Sequence, residues 1–276
     1  MDTVIINNDI VDVSKFKKWH PGGSHILTSN RCNDVTDLFY SFHSNVNYSH
    51  LVVGRNEESG IPKYVFEFRQ LNTLFKKEKW YEPSKLEFAK HIVICGTIFL
   101  ASFCFLWLEY SILSGIAMGF FWQQSAGLGH DLGHSSVVTS RKGNMMIGSV
   151  MSTVTGISSV WWRHSHFQHH THTNVKEEDP DIIHMPIFSI SEKLLVPFYH
   201  NFLHEFVIVD KFAVLLIRIQ HMTIFPILLF ARFNLYAQSL IHIVNLYDSY
   251  VQVEKIGFCL FFCWQMAILY SFGFEK

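Results

Sequence analysis

Long uncharged apolar stretches constrain this chain more than any other feature. Residues 92–108 contain no charged side chain, Glu109 and Tyr110 interrupt the run, and residues 111–128 form a second uncharged stretch. Each stretch is close to the roughly 20 residues that an α-helix needs to cross a bilayer. Such a short break predicts a tight helical hairpin across a membrane, with both outer ends on one side. The alternative is a pair of buried helices in a soluble core.

Charged residues and further apolar stretches extend this prediction. Lys90 precedes the hairpin, and Arg141 and Lys142 follow it, so the outer ends are predicted to be cytoplasmic by the positive-inside rule. Residues 256–274 are uncharged and long enough for a further span. Two less apolar stretches are predicted to form buried or interfacial helices without crossing: residues 145–160 and 212–230.

Composition narrows the class of protein. Hydrophobic residues make up 49% of the 276 positions, the formal net charge is −1 and the mean hydropathy is +0.18. The chain is therefore too apolar for an ordinary soluble domain and too neutral for a nucleic-acid partner. The five cysteines form no C-x-x-C pair, as is typical of buried thiols in a reducing compartment. Because imidazole is the commonest metal ligand, we expect the chemistry at the 17 histidines.

Residues 1–55 have the mixed pattern of a small α+β module. Within them, His20 precedes a Pro-Gly-Gly turn, where glycines let the backbone approach a flat ligand, and His43 follows 23 positions later. Two histidines that reach one iron from opposite faces make a six-coordinate haem site, which suits electron transfer. The alternative is a surface turn and an unrelated histidine. Seven apolar residues are predicted to line such a pocket: Phe16, Ile26, Leu27, Val35, Leu38, Phe39 and Phe42.

This histidine pair, together with the Asp34-Val35-Thr36 element, resembles the haem-binding part of cytochrome b5. The resemblance implies that haem b is held between His20 and His43. Residues 56–85 are charged and aromatic, which predicts a linker with an amphipathic segment on a membrane surface.

Two further histidine groups follow the predicted hairpin. The first histidine box, HDLGH, places His130 and His134 at i and i+4, and the second histidine box, HFQHH, places His166, His169 and His170 at i, i+3 and i+4. On a helix each set projects from one face, because steps of three and four residues return to the same side. Five neutral imidazoles could then converge on metal at a membrane edge. Imidazole suits iron, zinc, copper and nickel alike, so the choice of metal stays open.

The surroundings of the boxes refine this hypothesis. Asp131 is placed to orient an imidazole through its second ring nitrogen, as outer-shell carboxylates commonly do. A zinc protease needs glutamate inside the pair, as H-E-x-x-H, and neither box has one. The remaining histidines of this half of the chain are predicted to be structural or interfacial: His164, His172, His184, His200, His204, His221 and His242.

The combined pattern resembles the membrane fatty acid desaturases, specifically the front-end branch with a fused cytochrome b5 module. The motifs that carry the resemblance are H-P-G-G, HDLGH, the Trp-Trp pair four residues before HFQHH, the trailing Thr-Asn, EEDPDI at residues 177–182 and FPILLFARFNLYAQS at residues 225–239. The implied fold is an α-helical multi-pass membrane domain with histidine boxes (residues 86–276), preceded by a linker (56–85) and the α+β haem module (1–55).

The resemblance also implies an activity. A non-haem di-iron centre at the five box histidines would use O2 and electrons from the haem to introduce a double bond into a fatty acyl chain, on the carboxyl side of an existing one. The implied partners are the lipid bilayer, an acyl-lipid or acyl-CoA substrate and cytochrome b5 reductase. The implied location is the endoplasmic reticulum membrane, with the haem module and the histidine boxes facing the cytoplasm.

Two other functions stay open. Membrane lipid hydroxylases use similar histidine clusters with the same electron donor. The family pattern also has a strand and a helix ahead of the haem-binding part and a third box, Q-x-x-H-H, which this sequence lacks. The chain is therefore expected to be truncated at both ends relative to the family, and a non-catalytic membrane protein that binds haem is the remaining hypothesis.

Overall fold

The computed structural model of the chain describes residues 2–20, 23–43, 46–57, 60–245 and 249–273. Parts of each predicted domain lie outside the described residues: Met1, Pro21, Gly22 and residues 44–45 of the haem module, residues 58–59 of the linker, and residues 246–248 and 274–276 of the membrane domain, including the end of its last span. The chain divides into two compact units: Met1–Glu78 with Phe167–Asp210, and Lys79–His166 with Lys211–Lys276.

The first unit begins with an antiparallel sheet in the order β1 (Thr3–Ile6), β2 (Asp9–Asp12) and β3 (Val52–Arg55). Asn7 and Asn8 join β1 to β2 with φ of 51° and 67°, which a two-residue type I′ hairpin turn requires. Alternate side chains enter one core because successive strand residues face opposite sides. The buried members of this core are Val4, Ile6, Val11 and Val13. The predicted small α+β module is confirmed.

Three helices accompany this sheet: α1 (Ser24–Ser29), α2 (Thr36–Phe42) and α3 (Lys63–Lys77). Arg69 of α3 donates to both carboxylate oxygens of Asp37 on α2, with Nε–Oδ1 and Nη2–Oδ2 distances of 2.9 Å. Such a bidentate pair has a defined geometry as well as charge. The segment predicted as a linker therefore contains a helix that is tied to the haem-module residues.

Residues 167–210 complete the first unit. They contain an antiparallel pair, β4 (Phe198–His200) and β5 (Glu205–Val207), and short 3-10 turns at Pro180–Ile182 and Glu192–Leu194. A small separate core holds this segment together, and its buried side chains are Ile182, Leu194, Phe198 and Val207.

The second unit opens with the predicted helical hairpin, α4 (Lys85–Trp107) and α5 (Ser111–Gly133). Ser84 caps α4 by accepting from the Glu87 N–H at 3.3 Å, the Ser-x-x-Glu signature of a helix start. The helices are antiparallel, because residues near opposite ends meet. The contacts are His91 Nε2 with the Gln124 carbonyl oxygen (3.1 Å) and Ser102 Oγ with the Ser114 carbonyl oxygen (3.2 Å).

Among the described residues, two helices are long and apolar enough to cross a membrane: α4 and residues Tyr250–Phe272 of α11 (Ser249–Gly273). The predicted first and last spans are therefore confirmed as span candidates. The predicted second span stays a prediction, because α5 is less apolar than these two helices. The C-terminal half of α5 carries Gln123 and Gln124 ahead of the first histidine box, and these two amides lower the mean hydropathy of the helix.

The predicted single interfacial helix over residues 212–230 is also corrected. The structure contains two helices there, α8 (Lys211–Arg218) and α9 (Gln220–Leu228), bent by 88° relative to each other. Together the two helices are long and apolar enough to be a candidate for a broken span or a re-entrant loop. The polar residues that interrupt the apolar run lie at the bend, where backbone groups leave the regular helical hydrogen-bond pattern.

The remaining helices are α6 (Arg141–Thr155), α7 (Ser159–Thr171) and α10 (Ala231–Asn245). A face of small residues lets α6 pack closely on α11, where a methyl group at Gly257 would overlap the Ser152 side chain. The helix predicted over residues 145–160 is observed as Arg141–Thr155; it ends before Gly156, which has a left-handed φ of 67°, and residues 159–160 begin α7. α7 carries the second histidine box. The boundary between the two units falls within this helix, so that its residues up to His166 belong to the second unit and those from Phe167 belong to the first.

Candidate metal centre

Three predicted ligands meet in the second unit and are called the three-histidine group: His130, His134 and His166. One ring nitrogen from each lies within 4.8 Å of the others. His130 is on α5, His134 terminates that helix, and His166 is on α7. Nitrogens bonded at about 2.1 Å to one ion lie about 3 to 4 Å apart, so these donors fit a single metal ion after small ring rotations. The described group consists of imidazoles alone, a donor set that suits iron.

Trp162 organises this group from α7. Its indole stacks on His166, with ring centroids 4.3 Å apart and an interplanar angle of 26°, and lies 5.2 Å from the His130 ring. Gly133 of the first box makes this possible, because a Cβ there would overlap one indole carbon and lie 2.9 Å from Cε3. The glycine of HDLGH and the second tryptophan of the Trp-Trp pair therefore form one interhelical contact.

The start of α7 is held by a buried carboxylate on α11. Glu254 is 1% exposed; Oε1 accepts from the Val160 N–H at 3.0 Å, and Oε2 accepts from the Ser158 hydroxyl. The Ser158 N–H in turn donates to Ser239 Oγ on α10 at 2.9 Å. Anionic acceptors are favourable at a helix N-terminus, where backbone N–H groups lack intrahelical partners. This contact fixes the helix that carries His166.

Asp131 contacts a neighbouring ligand as the sequence analysis expected. Its Oδ1 lies 3.1 Å from His130 Nδ1, and its side chain is 62% exposed. A ring N–H at Nδ1 would donate to this carboxylate, leaving Nε2 as the metal donor.

The two remaining box histidines belong to the first unit. His169 Nδ1 lies 3.0 Å and 2.9 Å from the two carboxylate oxygens of Asp179, which is 0% exposed. The His170 ring lies edge-on to that of His169, with centroids 5.6 Å apart. The structure thus brings together three of the five predicted box ligands in one group and places His169 on a buried carboxylate.

The histidine pair predicted to hold haem is also brought together, in the first unit. The ring centroids of His20 and His43 are 6.0 Å apart. If both rings bind one metal ion, each ring centroid lies about 3.1 Å from it, because the metal–nitrogen bond is about 2 Å and the nitrogen is about 1.1 Å from the ring centre. The expected distance between the two centroids is then about 6 Å, so one iron fits between the rings. Nδ1 of His20 lies 3.2 Å from the Gly23 carbonyl oxygen, and Nδ1 of His43 lies 2.9 Å from that of Phe39. Because these N–H groups donate to carbonyls, both Nε2 atoms keep their lone pairs for iron.

Aromatic side chains around His20 and His43 also support haem binding by these two histidines. Phe39 stacks on His43 at 4.6 Å, and Phe16 meets His20 edge-on at 5.8 Å. Burial lowers the pKa of His20, which favours the neutral ligand form. Three of the predicted pocket residues, Leu27, Val35 and Phe39, pack against the core of the sheet.

Two side-chain contacts connect the haem-module residues with the end of α7 inside the first unit. The Phe42 and Phe167 rings lie 4.9 Å apart, and Asn30 Nδ2 lies 3.4 Å from His172 Nε2. Phe42 directly precedes His43, and Phe167 directly follows His166. His172 therefore has a structural contact, as the sequence analysis predicted for this position.

Comparisons with known proteins agree with this arrangement. The family model described as fatty acid desaturase matches residues 106–274, and that described as cytochrome b5-like heme/steroid binding domain matches residues 3–80. The chain belongs to the fatty acid desaturase family. Its N-terminal match makes it a cytochrome b5-fused member of the front-end type, as the motifs predicted. The two matches imply haem and iron as bound groups, and the family and the span candidates indicate a membrane protein.

The similar proteins are desaturases. A Delta 8-(E)-sphingolipid desaturase of Kluyveromyces lactis is 37% identical over 64% of this chain and 31% of its own length. An acyl-lipid (9-3)-desaturase of Borago officinalis is 30% identical over 95% of this chain and 60% of its own, and a Delta(8)-fatty-acid desaturase of Helianthus annuus is 31% identical over 88% and 55%. The chain thus spans about a third to three fifths of the length of these relatives. No solved structure matches significantly.

Sequence reasoning missed four residues that organise the candidate site: Gly133, Trp162, Asp179 and Glu254. Gly133, Trp162 and Asp179 lie inside motifs quoted for the resemblance, yet nothing in those motifs tells which other side chain each one meets. Glu254 carries only a weak signal, because it lies just before the uncharged stretch 256–274 and is followed directly by Lys255.

Proposed function

We propose that this chain is part of a membrane acyl-lipid desaturase. The reaction converts a –CH2–CH2– unit of an acyl chain to –CH=CH–, with O2, two electrons and two protons yielding two molecules of water. The observation that carries the proposal is the convergence of three imidazoles, those of His130, His134 and His166, whose ring nitrogens lie within 4.8 Å of one another. Neutral donors that resist oxidation suit an oxidant strong enough for an unactivated C–H bond.

We assign two cofactors to the histidines. Haem b is held by His20 and His43, and non-haem di-iron by the five box histidines, His130, His134, His166, His169 and His170. When bound, the iron supplies the oxygen chemistry, and the haem supplies single electrons without an open coordination position. The protein's own contribution is orientation, through carbonyl and carboxylate acceptors at Nδ1 and through the Trp162 indole.

The substrate, partners and location follow from the same proposal. The similar proteins are named for the Delta 8 position of sphingolipids and of fatty acids. In a fatty acyl chain, we expect the new double bond on the carboxyl side of an existing one. Electrons come from cytochrome b5 reductase through the haem. The chain lies in the endoplasmic reticulum membrane with both centres facing the cytoplasm, and the domain boundaries are residues 1–55, 56–85 and 86–276.

Product analysis tests this proposal. The chain is expressed in a eukaryotic host that lacks the activity, and its fatty acids and long-chain bases are analysed by gas chromatography and mass spectrometry. We expect a new double bond with the wild type and with His164→Ala, a matched histidine of α7 outside the box pattern, and none with His130→Ala. Hydroxylated chains would favour the hydroxylase hypothesis instead. Haem iron without non-haem iron and without product would support the non-catalytic hypothesis, and full activity of His169→Ala would overturn the ligand assignment.

A further inference from the structure

We propose that Asp179 is the positioning residue of the second histidine box, because it holds the His169 imidazole in the orientation and tautomer that present Nε2 to a metal ion. The inference rests on the proposed function, in which His169 is an iron ligand. It goes further, since HFQHH contains no acidic residue and the partner of His169 lies ten positions along the chain.

The contact between the two side chains is close and shielded from solvent. His169 Nδ1 is 3.0 Å from Asp179 Oδ1 and 2.9 Å from Oδ2, and the carboxylate is 0% exposed. Nδ1 must carry hydrogen to donate to a carboxylate, so the lone pair of a neutral ring resides on Nε2. The neutral imidazole thus has the tautomer that binds metal through Nε2.

Other groups hold the carboxylate in place. Oδ2 accepts from the Asn174 N–H at 2.7 Å, and Oδ1 accepts from the Asp181 N–H at 2.9 Å. These contacts make Asp179 the cap of the 3-10 turn Pro180–Ile182. Asp179 is therefore fixed before any metal binds. Among the described residues, its donors are two backbone N–H groups and the His169 imidazole.

The residues after the second box bring Asp179 back to the helix. Thr173 Oγ1 donates to the His169 carbonyl oxygen at 2.7 Å, and Asn174 adopts a left-handed φ of 62°. Asn tolerates this conformation better than most residues. The Asp179 N–H then donates to the Val175 carbonyl oxygen at 2.9 Å. The Thr-Asn and acidic motifs that follow HFQHH therefore form one turn, which brings the Asp179 carboxylate into contact with the His169 imidazole.

Two nearby carboxylates sharpen the assignment. Asp181 Oδ2 lies 3.9 Å from the same His169 nitrogen, beyond hydrogen-bond distance, and its side chain is 40% exposed. Asp131 contacts His130 but is 62% exposed, so water competes for that contact. Asp179 combines a short contact with full burial. Its removal should therefore weaken metal binding more than removal of either neighbour.

The experiment measures Co2+ affinity of the haem-loaded full chain in detergent micelles by ligand-field absorption. We expect Asp179→Asn to raise the dissociation constant about 10- to 100-fold, the range found when an outer-shell partner of a metal ligand is lost. Asp179→Glu keeps a carboxylate and is expected to bind Co2+ more tightly than Asp179→Asn. The matched control, Asp181→Asn, should change affinity less than about 3-fold. Far-UV circular dichroism reports whether each variant keeps its helical fold, and the haem absorption band reports the haem module separately.

A double-variant comparison separates positioning from a general structural role. If Asp179 acts through His169, Asp179→Asn adds no further loss of Co2+ affinity when His169 is already alanine. An equal further loss in that background would mean a structural role and would overturn the inference. Wild-type affinity in Asp179→Asn would overturn it as well.

The same measurements distinguish this inference from the proposed function. Unchanged Co2+ affinity in His169→Ala means that His169 is not a ligand, and then the ligand assignment fails together with the inference. Reduced affinity in His169→Ala with wild-type affinity in Asp179→Asn leaves the ligand assignment intact and rejects only the role of Asp179. Failure of the wild type to bind Co2+ would overturn both.

Discussion

The two histidine sites differ in what orients their imidazoles. At the histidine pair, His20 and His43 each donate from Nδ1 to a backbone carbonyl three or four residues away in the chain. At the three-histidine group, ligands on two helices are organised by Trp162, which fits against Gly133 of the other helix. Orientation is therefore local at the first site, whereas the second site adds an interhelical contact to the local contact of Asp131 with His130.

This difference predicts different sensitivities. Backbone acceptors near a ligand persist as long as its own turn is folded, whereas an interhelical contact depends on how well both helices pack. Changes in the packing of α5, α7 and α11 should therefore affect non-haem iron and leave haem binding unchanged.

The largest expected effect is a reciprocal loss of the two bound groups. His166→Ala removes a donor of the three-histidine group and should lower non-haem iron per chain by more than about 10-fold, with the haem absorption band unchanged. His43→Ala should abolish the six-coordinate haem spectrum and leave the iron content unchanged. Iron analysis and absorption spectroscopy on the same samples check both, with His164→Ala as control. Loss of haem in His166→Ala would contradict the independence of the sites.

The next effect concerns the interhelical contact itself. Gly133→Ala places a methyl group against the Trp162 indole, and such overpacking costs about 1–3 kcal/mol and should displace the ring from His166. Thermal unfolding in micelles and iron content measure the two consequences. Gly129→Ala on the same helix is the matched control, because a Cβ there meets nothing within 4 Å. Equal behaviour of the two variants would show that the Gly133 contact is unimportant.

A smaller effect is expected at the start of α7. Glu254→Gln preserves the side-chain size, but its amide can accept from only one of the two donors that the carboxylate serves, so we expect a loss of about 1–2 kcal/mol in the free energy of unfolding. Chemical denaturation measures it. The exposed Gln252, one half-turn earlier on α11, provides the control Gln252→Ala. A loss no larger than that of the control would reject the capping role.

The smallest effect is pH-dependent and concerns a buried histidine outside both sites. Burial lowers the pKa of His200, and its Nδ1 accepts from the Leu203 N–H at 3.2 Å. Below about pH 6.5 the unfolded chain then binds more protons than the folded chain. The contribution of His200 to the free energy of unfolding is therefore fully present above that pH and falls as pH decreases, by at most about 1.4 kcal/mol per pH unit. Unfolding at pH 7.5 and 5.5 tests this, and His200→Gln should lose that part of the dependence. An unchanged dependence would exclude His200 as its source.

Much of the local structure follows from neighbouring residues in the sequence. Asn7 and Asn8 between alternating apolar residues predict the hairpin, and Ser84 with Glu87 predicts the start of α4. The i, i+4 spacing of His130 and His134 places both on one end of α5. These features are predictable because turns, caps and helix faces depend on residues within about one helical turn.

Other features could not be predicted in this way. The apolar run over residues 212–230 predicted one helix, and Arg218 and His221 mark where that run is interrupted but not the 88° angle between the two helices. Composition measures how apolar a segment is, but packing decides where a helix breaks and which of its faces is buried.

The sequence by itself determined the class of fold, the sheet hairpin, the long helices and the residue types able to bind haem and metal. Tertiary structure alone decided which partner each of these residues meets: Trp162 for Gly133, Glu254 for the start of α7, and Asp179 for His169. The physical reason is the distance along the chain that separates the interacting residues. Periodicity and capping act between near neighbours, whereas a buried acceptor or a close packing contact exists only after distant segments have folded onto each other.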